Sequence, residues 1–327
     1  MDVSPPIGRR GFALTLGATL LLPRPSGAQP KRMPRVGVLW PNPPATFEPL
    51  RQGLAQLGYV EGRTISFEYR WAERQLGQLP ELAAELVALK VDIIVTLAPP
   101  ATQAAKNATQ TIPIVFVAVG DPVASGLIAN FARPGGNLTG TTRMTSEMTV
   151  KHLEILKEAV PVLSHVGVLW NPGNSAHPPA LRLLEPTARA LHVKLSRGEV
   201  RSPADLEPSV ASVVRERTDG LIFLPDPIFF IHLRRMVELV ATAQLPAITL
   251  FTEFPRLGGL MGYAPSLPEE FRRAAGHVDK ILKGNQAGEL PVQEPTIFEF
   301  VVNLKAAAAL GLRIPRSLLL RADEVIQ

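Results

Sequence analysis

Short apolar runs typical of buried strands alternate along the chain with stretches whose apolar residues recur at helical spacing. The first run is RVGVLW at residues 35–40, and Phe47, Leu50, Leu54 and Leu57 follow at intervals of a helical turn. Further strands are predicted at 65–69, 91–96 and 114–117, with helices at 79–89 and 100–108. This βαβα alternation predicts an α/β fold with a parallel sheet covered by helices on both faces.

The same series then starts again in the second half of the chain. VGVLW at 36–40 recurs at 166–170, an offset of 130 residues. DIIVTL at 92–97 matches DGLIFL at 219–224, and TIPIV at 111–115 matches QLPAI at 244–248. Three matches in the same order predict two Rossmann-like lobes of similar topology that begin near residues 34 and 164, each a doubly wound parallel sheet.

The segment after the second series is too short for a third lobe. Its predicted elements are strands at 260–263 and 298–302 and helices at 268–282 and 304–310. We expect this segment to cross back and complete both sheets, with crossover hinges near 142–147, 263–267 and 288–297. The N-terminal lobe is then 29–145 plus about 265–297, and the C-terminal lobe 146–264 plus about 298–327.

Residues 1–28 have the pattern of a secretory signal peptide. Two arginines at 9–10 precede an apolar run at 12–22, which is shorter than the ~20 residues that span a bilayer. Ser26 and Ala28 occupy the −3 and −1 positions of a cleavage site near Ala28. The sequence RRGF also resembles a twin-arginine motif, so both export routes stay open. A buried N-terminal helix is the alternative, although the prolines after the run would end it early. We expect cleavage and a periplasmic location.

Composition excludes several kinds of chemistry. The 327 residues contain no cysteine, which removes disulfides, thiolate catalysis and Cys-based metal sites. Aromatic residues make up only 6%, too few for a surface that stacks single-stranded nucleic acid. The net charge of +5 falls to +3 without residues 1–28, which does not require a polyanionic partner. We therefore expect no nucleic-acid partner.

Motifs for cofactors and catalysis are missing from the places where they would act. The first strand is followed by PNPPATF instead of a glycine-rich dinucleotide loop. The sequence contains no phosphate-binding G-x-x-x-x-G-K-[ST], no G-x-S-x-G elbow and no H-E-x-x-H, and its six histidines have no metal-ligand spacing. We expect that the protein binds no cofactor and no metal and is not an enzyme, although a Ser-His-Asp set could still assemble in space.

Polar residues beside prolines follow the predicted strands, where ligands of open α/β sheets bind. Asp121-Pro122 and Asp226-Pro227 each place an acid before a proline. An Asp N-cap with Pro at N1 is the purely structural interpretation, but a capping carboxylate can keep one oxygen for a ligand amine. The helix start at 98–102 offers N–H donors and the Thr102 hydroxyl to a carboxylate.

Several longer segments resemble a known family over nearly the whole chain after the leader. They include GYVEGRTISFEYRWAE (58–73), IPIVFVAVGDPVASGLI (112–128), ARPGGNLTG (132–140) and LGLRIPRSLLLRADEVI (310–326). These resemble the ABC-transporter substrate-binding family that includes the tryptophan-binding TrpX-type proteins. The resemblance implies a type I periplasmic-binding-protein fold, no catalysis, an ABC permease and ATPase as partners, and aromatic amino acids or related small solutes as ligands. The segment after the third strand, small and Gly/Ser/Thr-rich in that family, is LAPP here.

For an amino-acid-like solute, we expect Thr102 and Thr142 to bind the carboxylate and an acidic side chain to bind the amine. An aromatic residue would contact the apolar side chain, and an asparagine at equivalent places in the two lobes could bind either end. Packing is the alternative role for Trp40 and its repeat Trp170, and an exposed surface position is the alternative for Glu253. The expected ligand-binding residues are Trp40, Asn42, Thr96, Thr102, Asp121, Thr142, Asn171, Asp226, Glu253 and Tyr263.

The sequence thus predicts an extracytoplasmic, monomeric solute-binding protein. It would capture an amino acid or related carboxylate between its lobes and deliver it to an ABC permease, touching the membrane only through that permease. An extracytoplasmic ligand sensor for a signalling receptor and an exported α/β hydrolase are the alternatives. Repressors with such lobes need an N-terminal helix-turn-helix, which the leader-like start does not supply.

Overall fold

The structure is a computed structural model that describes residues 1–4, 32–41, 47–73 and 75–327. Residues 33–327 belong to one unit, which contains two α/β lobes with one sheet each. Asn42 and residues 5–28 of the predicted leader lie outside the described residues. Within the described ranges, no helix combines the length and the apolarity that crossing a membrane requires.

A parallel sheet forms the first lobe, with helices between its strands. Its strands lie in the order β2-β1-β3-β4-β5. In chain order, the described elements are β1 (Arg35–Trp40), α1 (Glu48–Gln56), β2 (Ser66–Trp71), α2 (Leu79–Ala88), β3 (Ile93–Leu97), α3 (Ala98–Ala108), β4 (Ile114–Val119) and β5 (Leu138–Thr142).

The remaining elements belong to the second lobe and its larger sheet, except for one helix that packs on the first lobe. In chain order these are α4 (Thr145–Ala159), β6 (His165–Trp170), α5 (His177–Ala190), β7 (Lys194–Glu199), α6 (Leu206–Arg215), β8 (Gly220–Phe223), α7 (Pro227–Ile231), α8 (Leu233–Thr242), β9 (Ala247–Thr249), α9 (Glu253–Arg256), β10 (Met261–Pro265), α10 (Leu267–Leu282), β11 (Phe298–Asn303), α11 (Leu304–Ala309), α12 (Arg316–Leu319) and β12 (Glu324–Ile326). The sheet order is β12-β11-β10-β9-β8-β6-β7.

The two copies of VGVLW occupy the same place in their lobes. β1 lies between β2 and β3, and β6 lies between β7 and β8. The order β2-β1-β3-β4-β5 is repeated by β7-β6-β8-β9-β10, which confirms the predicted pair of doubly wound lobes. One strand pair departs from the parallel prediction: β11 runs antiparallel to β10, because the chain re-enters this sheet after α10 has crossed to the other lobe.

Helices cover both faces of the first sheet because successive strand residues point to opposite faces. Val36 and Val38 of β1 share a buried cluster with Leu54 of α1 and Ala275 of α10. Leu39 of β1 belongs to the cluster on the other face, with residues of α2 and α3. α10 therefore packs on the first lobe although it follows a strand of the second.

Three crossovers join the lobes side by side. The chain passes from β5 to α4, from β10 to α10, and from residue 290 to β11. Backbone hydrogen bonds tie these segments together: Thr142 N donates to Gln293 O (3.0 Å), Gln293 N to Gly140 O (2.9 Å) and Ser266 N to Ile297 O (2.9 Å). The chain therefore crosses three times between the lobes, and bending at these segments stays a prediction.

Candidate functional site

A cavity of about 180 Å³ lies between the lobes and against the crossovers; we call it the cleft cavity. Its walls come from the carboxyl ends of parallel strands in both sheets, the position at which open α/β sheets bind ligands. The first lobe contributes small and apolar groups at the ends of β3 and β4, namely Leu97, Ala98, Pro99, Ala118 and Gly120.

The wall from the second lobe is aromatic and acidic. Phe230 of α7 and Phe251 after β9 both line the cleft cavity, with their ring centroids 5.4 Å apart. Asp226 precedes α7 and Glu253 begins α9. An apolar wall with a few placed charges is typical of a small-molecule site.

Asp226 is held in place by three hydrogen bonds. Its side chain is the N-cap of α7, because Oδ1 accepts from Ile228 N at 2.9 Å. Oδ2 accepts from Asn171 Nδ2 at 3.1 Å and from Asn174 Nδ2 at 2.9 Å. Asp226 is only 2% exposed, so this network fixes a buried carboxylate at the edge of the cavity.

His177 supports that network from behind. Asn171 N donates to His177 Nδ1 (2.9 Å), which requires Nε2 to carry the proton and donate to Pro225 O (3.1 Å). Burial lowers the pKa of His177, although Asp226 opposes that shift. His177 is therefore neutral near pH 7, and it positions Asn171 and Pro225 beside Asp226.

A buried ion pair lies where the cavity meets the crossovers. Arg143, on the β5–α4 crossover, lines the cleft cavity, and its Nε lies 3.2 Å from Glu270 Oε1 of α10. Its Nη2 donates to Pro265 O at 3.4 Å. The Arg143 guanidinium is thus a fixed cation in the site, and guanidinium suits a carboxylate ligand.

A second cation lies in the exposed part of the wall. Arg256 of α9 pairs with Glu324 (2.8 Å) and lies 3.8 Å from Glu299. The hydrogen bond from Arg256 to Glu324 raises the pKa of the guanidinium. Glu299 and Glu253 also line the cavity, so carboxylates outnumber arginines on this side.

The lobes touch directly beside the cavity. A Cβ on Gly120 would lie 2.5 Å from Ala176 Cβ and 2.7 Å from Thr145 Oγ1, both in the second lobe. Asp121 Oδ2 accepts from the Ser146 hydroxyl of α4 at 2.6 Å. Burial raises the pKa of Asp121 to about 6, although the Ser146 hydroxyl opposes the shift. The lobes are therefore closed on each other, and only a residue without a side chain fits at position 120.

Comparison with known proteins identifies the family of this bilobed fold. The family model described as ABC transporter substrate binding protein matches residues 41–326. The chain belongs to this family. Its fold is that of type I periplasmic binding proteins, as solved structures with the same fold show.

Three similar proteins illustrate the relationship of this substrate-binding protein to others. A tyrosine-binding protein of Clostridioides difficile (strain R20291) is 25% identical over 263 residues, which cover 80% of this chain and 75% of that protein. A conserved domain protein from Vibrio cholerae is 29% identical, with a TM-score of 0.84 over 90% of this chain and 100% of that chain. A Streptococcus pneumoniae ABC domain in complex with L-Trp is 22% identical and has the same fold, with a TM-score of 0.84 over 90% and 99% of the two chains.

Of the residues expected to bind ligand, Asp226 and Glu253 line the cleft cavity of this substrate-binding protein. Asn171 lies next to the cavity and holds Asp226. Asp121 lies at the contact between the lobes. Tyr263 stacks on Phe298, with centroids 5.8 Å apart, and does not line the cavity.

The expected threonines and Trp40 point elsewhere. Thr102 Oγ1 donates to Ala98 O (2.9 Å) and bonds to Thr96 Oγ1 (2.8 Å), and both side chains are fully buried. Thr142 Oγ1 donates to Gly120 O at 2.8 Å. Trp40 is fully buried and stacks on Phe271, with centroids 5.7 Å apart. The three threonines and Trp40 thus pack within the first lobe and do not line the cavity. Asn42, the remaining expected residue, lies outside the described residues.

Sequence reasoning missed Arg143, Phe230 and Phe251. Arg143 lies within a segment predicted to be a hinge, and a charged hinge residue was one available signal. The two phenylalanines are ordinary apolar residues in the sequence. Only the ends of β8 and β9, which are neighbours in the sheet, bring them together.

A Ser–His contact elsewhere lacks the arrangement of a nucleophile. His165 Nε2 lies 2.6 Å from Ser196 Oγ, but the Ser196 hydroxyl donates to Glu216. The histidine must therefore donate to the serine, which is the reverse of general-base activation. In the part of the chain that the structure describes, no group of three His, Asp or Glu side chains could hold a metal ion.

Proposed function

We propose that this protein captures a small amino acid or related carboxylate between its lobes, outside the cytoplasm, and delivers it to an ABC permease. The cleft cavity carries the proposal, because it opposes a buried guanidinium, Arg143, to the carboxylates Asp226 and Glu253. A zwitterion with an apolar side chain presents both charges and an apolar group at once.

The size of the cavity supports a solute of this class. An engineered apolar cavity of about 150 Å³ accepts benzene, and the cleft cavity measures about 180 Å³. The aromatic rings of Phe230 and Phe251 in the wall favour a solute with an aromatic or large aliphatic side chain. The names of the tyrosine-binding relative and of the L-Trp complex support aromatic amino acids within this class.

The solute's orientation follows from the fixed charges. Its carboxylate would bind Arg143, in place of Thr102 and Thr142, whose hydroxyls are committed to backbone carbonyls. Its ammonium would bind Asp226 and Glu253. Tight burial of both ends requires closed lobes, and a solute that contacts both lobes stabilises the closed state by its differential affinity.

Delivery follows from the same closure. Hinge closure presents one arrangement of the two lobes, which a permease can distinguish from the open arrangement. We propose that the protein acts as a monomer without catalysis and is exported to the periplasm by its leader. We also propose lobe boundaries at about residue 145 and at about 265 and 297, where the three crossovers lie.

A ligand screen tests the proposal. Thermal unfolding of the purified chain is measured with each of the twenty L-amino acids and with related small carboxylates, and hits are titrated by calorimetry. We expect an aromatic amino acid to bind one to one, and a ligand at 100 times its Kd to add about 2.7 kcal/mol of stability. Mass spectrometry of the recovered solute should show no chemical change.

Paired arginine variants localise the binding. Arg143→Gln should weaken binding of the hit by at least about 100-fold, the cost of a buried charge-assisted contact. Arg182→Gln, on the exposed face of α5, should leave the Kd unchanged. If neither an amino acid nor a related small carboxylate binds, or if the solute is converted, the proposed function is wrong.

A further inference from the structure

The Arg143–Glu270 pair lies on two crossovers at once. Arg143 follows the last residue of β5, and Glu270 lies in the first turn of α10, directly after the chain leaves β10. Their side chains are 10% and 3% exposed, and Nε to Oε1 is 3.2 Å. Arg143 Nη2 also donates to Pro265 O, the last residue of β10. The pair therefore links the hinge to the cleft cavity that Arg143 lines.

The ion pair leaves one carboxylate oxygen of Glu270 without a hydrogen bond. Its Oε2 is buried and makes no hydrogen bond to any described residue. Leaving a charged oxygen buried without a partner is costly. Burial raises the pKa of Glu270 to about 7, although Arg143 opposes the shift. Its proton occupancy therefore changes near neutral pH.

Few other charges face Glu270. Arg273, on the same helix, lowers its pKa weakly, and that arginine is committed to Glu269 and to Glu294 O. β4 and β5, which pack against α10, carry no charged residue. The charged residues of α1 are Glu48 and Arg51, which pair with each other in exposed positions.

We propose that Glu270 is the positioning residue for Arg143 and takes up a proton when the carboxylate of a solute binds that guanidinium. This inference rests on the proposed function. Glu270 and the solute carboxylate would share one guanidinium, so the second anion raises the free energy of a charged Glu270. The proton would occupy Oε2, the oxygen without a partner.

Linkage fixes the sign of the pH effect. Because solute binding favours the protonated form of Glu270, affinity is highest below the pKa of the free protein and falls as pH rises through it. If binding raises the pKa by one unit from about 7, the Kd increases about fivefold from pH 6 to pH 8. About 0.4 proton is then taken up per solute at pH 7.

Calorimetry measures both quantities. L-Tyrosine and L-tryptophan are titrated into the full chain at pH 6 and pH 8. At pH 7 they are titrated in phosphate and in Tris, whose different ionisation enthalpies report proton uptake. Glu270→Gln should bind with a Kd that changes less than twofold across this range and should take up no proton. Glu154→Gln, an exposed glutamate of α4, is the matched control and should behave as wild type.

A ligand-free measurement checks the same residue. Because burial disfavours the charged form in the folded state, the stability of wild type relative to Glu270→Gln should fall as pH rises from about 5 to 8. If the variant does not fold, proton uptake by wild type still decides the question.

The outcomes separate the two proposals. If no solute in the ligand screen binds, the proposed function is wrong and this inference with it; if the screen finds a ligand other than L-tyrosine and L-tryptophan, that ligand takes their place in the titrations. Binding with equal Kd at both pH values and no proton uptake overturns this inference alone. A pH dependence that persists unchanged in Glu270→Gln does so as well, because the proton then binds elsewhere.

Discussion

The two walls of the cleft cavity come from lobes of the same topology but differ in chemistry. The wall of the first lobe is small and apolar, with Ala98, Pro99 and Gly120 among its residues. The wall of the second lobe holds the carboxylates Asp226 and Glu253 beside two phenylalanines. The duplicated chain has thus concentrated its charges in one lobe and at the hinge.

The contrast is sharpest where equivalent strands end. β3 leads into Leu97-Ala98-Pro99 and β8 into Leu224-Pro225-Asp226, at matching places in the two sheets. Both segments start a helix next to a proline, but only the second provides a carboxylate. We infer that the second lobe and Arg143 bind the solute first and that the first lobe closes over it by shape.

The largest effect is expected from a substitution in the charged wall. Asp226→Asn replaces one carboxylate oxygen by an NH₂ group, which donates hydrogen bonds and accepts none. In place of Oδ2, the NH₂ group would face the donors of Asn171 and Asn174; in place of Oδ1, it would face Ile228 N. We expect solute affinity to fall by about 100-fold or more and stability by about 2–4 kcal/mol. Calorimetry and urea unfolding measure the two changes.

Asp205→Asn is the matched control for that variant. Asp205 also accepts backbone N–H groups at a helix start, from Arg201 and Ser202, but it is only partly buried and lies outside the cleft cavity. It should lose some stability and no affinity. Equal losses of affinity in both variants would mean that Asp226 acts only through folding of the lobe.

A smaller effect is expected from filling the apolar wall. Gly120→Ala places a methyl group 2.5 Å from Ala176 Cβ, which the closed lobes cannot accommodate without a shift. Overpacking of this kind costs about 1–3 kcal/mol. Because the lobes can relieve this overpacking by opening, its free-energy cost should appear as roughly 10- to 100-fold weaker solute binding. Small-angle scattering with solute present should show a larger radius of gyration than wild type.

Two further variants test the cause. Adding Ala176→Gly should restore part of the lost affinity, since Thr145 Oγ1 would still crowd the new methyl group. Gly276→Ala is the control substitution in α10, because a Cβ there meets no atom within 4 Å. If Gly120→Ala binds as tightly as wild type, the contact between the lobes does not limit closure.

The sequence predicts the architecture better than it predicts the cavity. The repeated VGVLW and the alternation of strands and helices were sufficient for the lobes and crossovers, because these patterns are local and recur twice. The rule that ligands bind beyond strand carboxyl ends selected Asp226 and Glu253, which line the cavity. That rule selects loops, however, and does not give the direction of each side chain.

Side-chain direction depends on partners far away in the chain. Trp40 stacks on Phe271, more than two hundred residues away, and no local pattern announces that contact. Thr102 bonds to Thr96 within the lobe, which removes it from the cavity. Arg143 faces the cavity because Glu270 returns from the second lobe to meet it. Pairings of this range require the closed tertiary structure.

The smallest effect is expected from relieving backbone strain in the apolar wall. Ala98 has a φ of 66°, a left-handed conformation that costs a residue with a Cβ about 1–2 kcal/mol. Ala98→Gly should relieve this strain and, after the added entropy of the unfolded chain, stabilise the protein by about 0.5 kcal/mol. Ala104→Gly, in the interior of α3, should instead destabilise by about 1 kcal/mol or more. If the first lobe contributes only shape, Ala98→Gly leaves the Kd within twofold of wild type. A gain in stability together with a clear loss of affinity would instead show that the strained backbone pre-organises this wall for the solute.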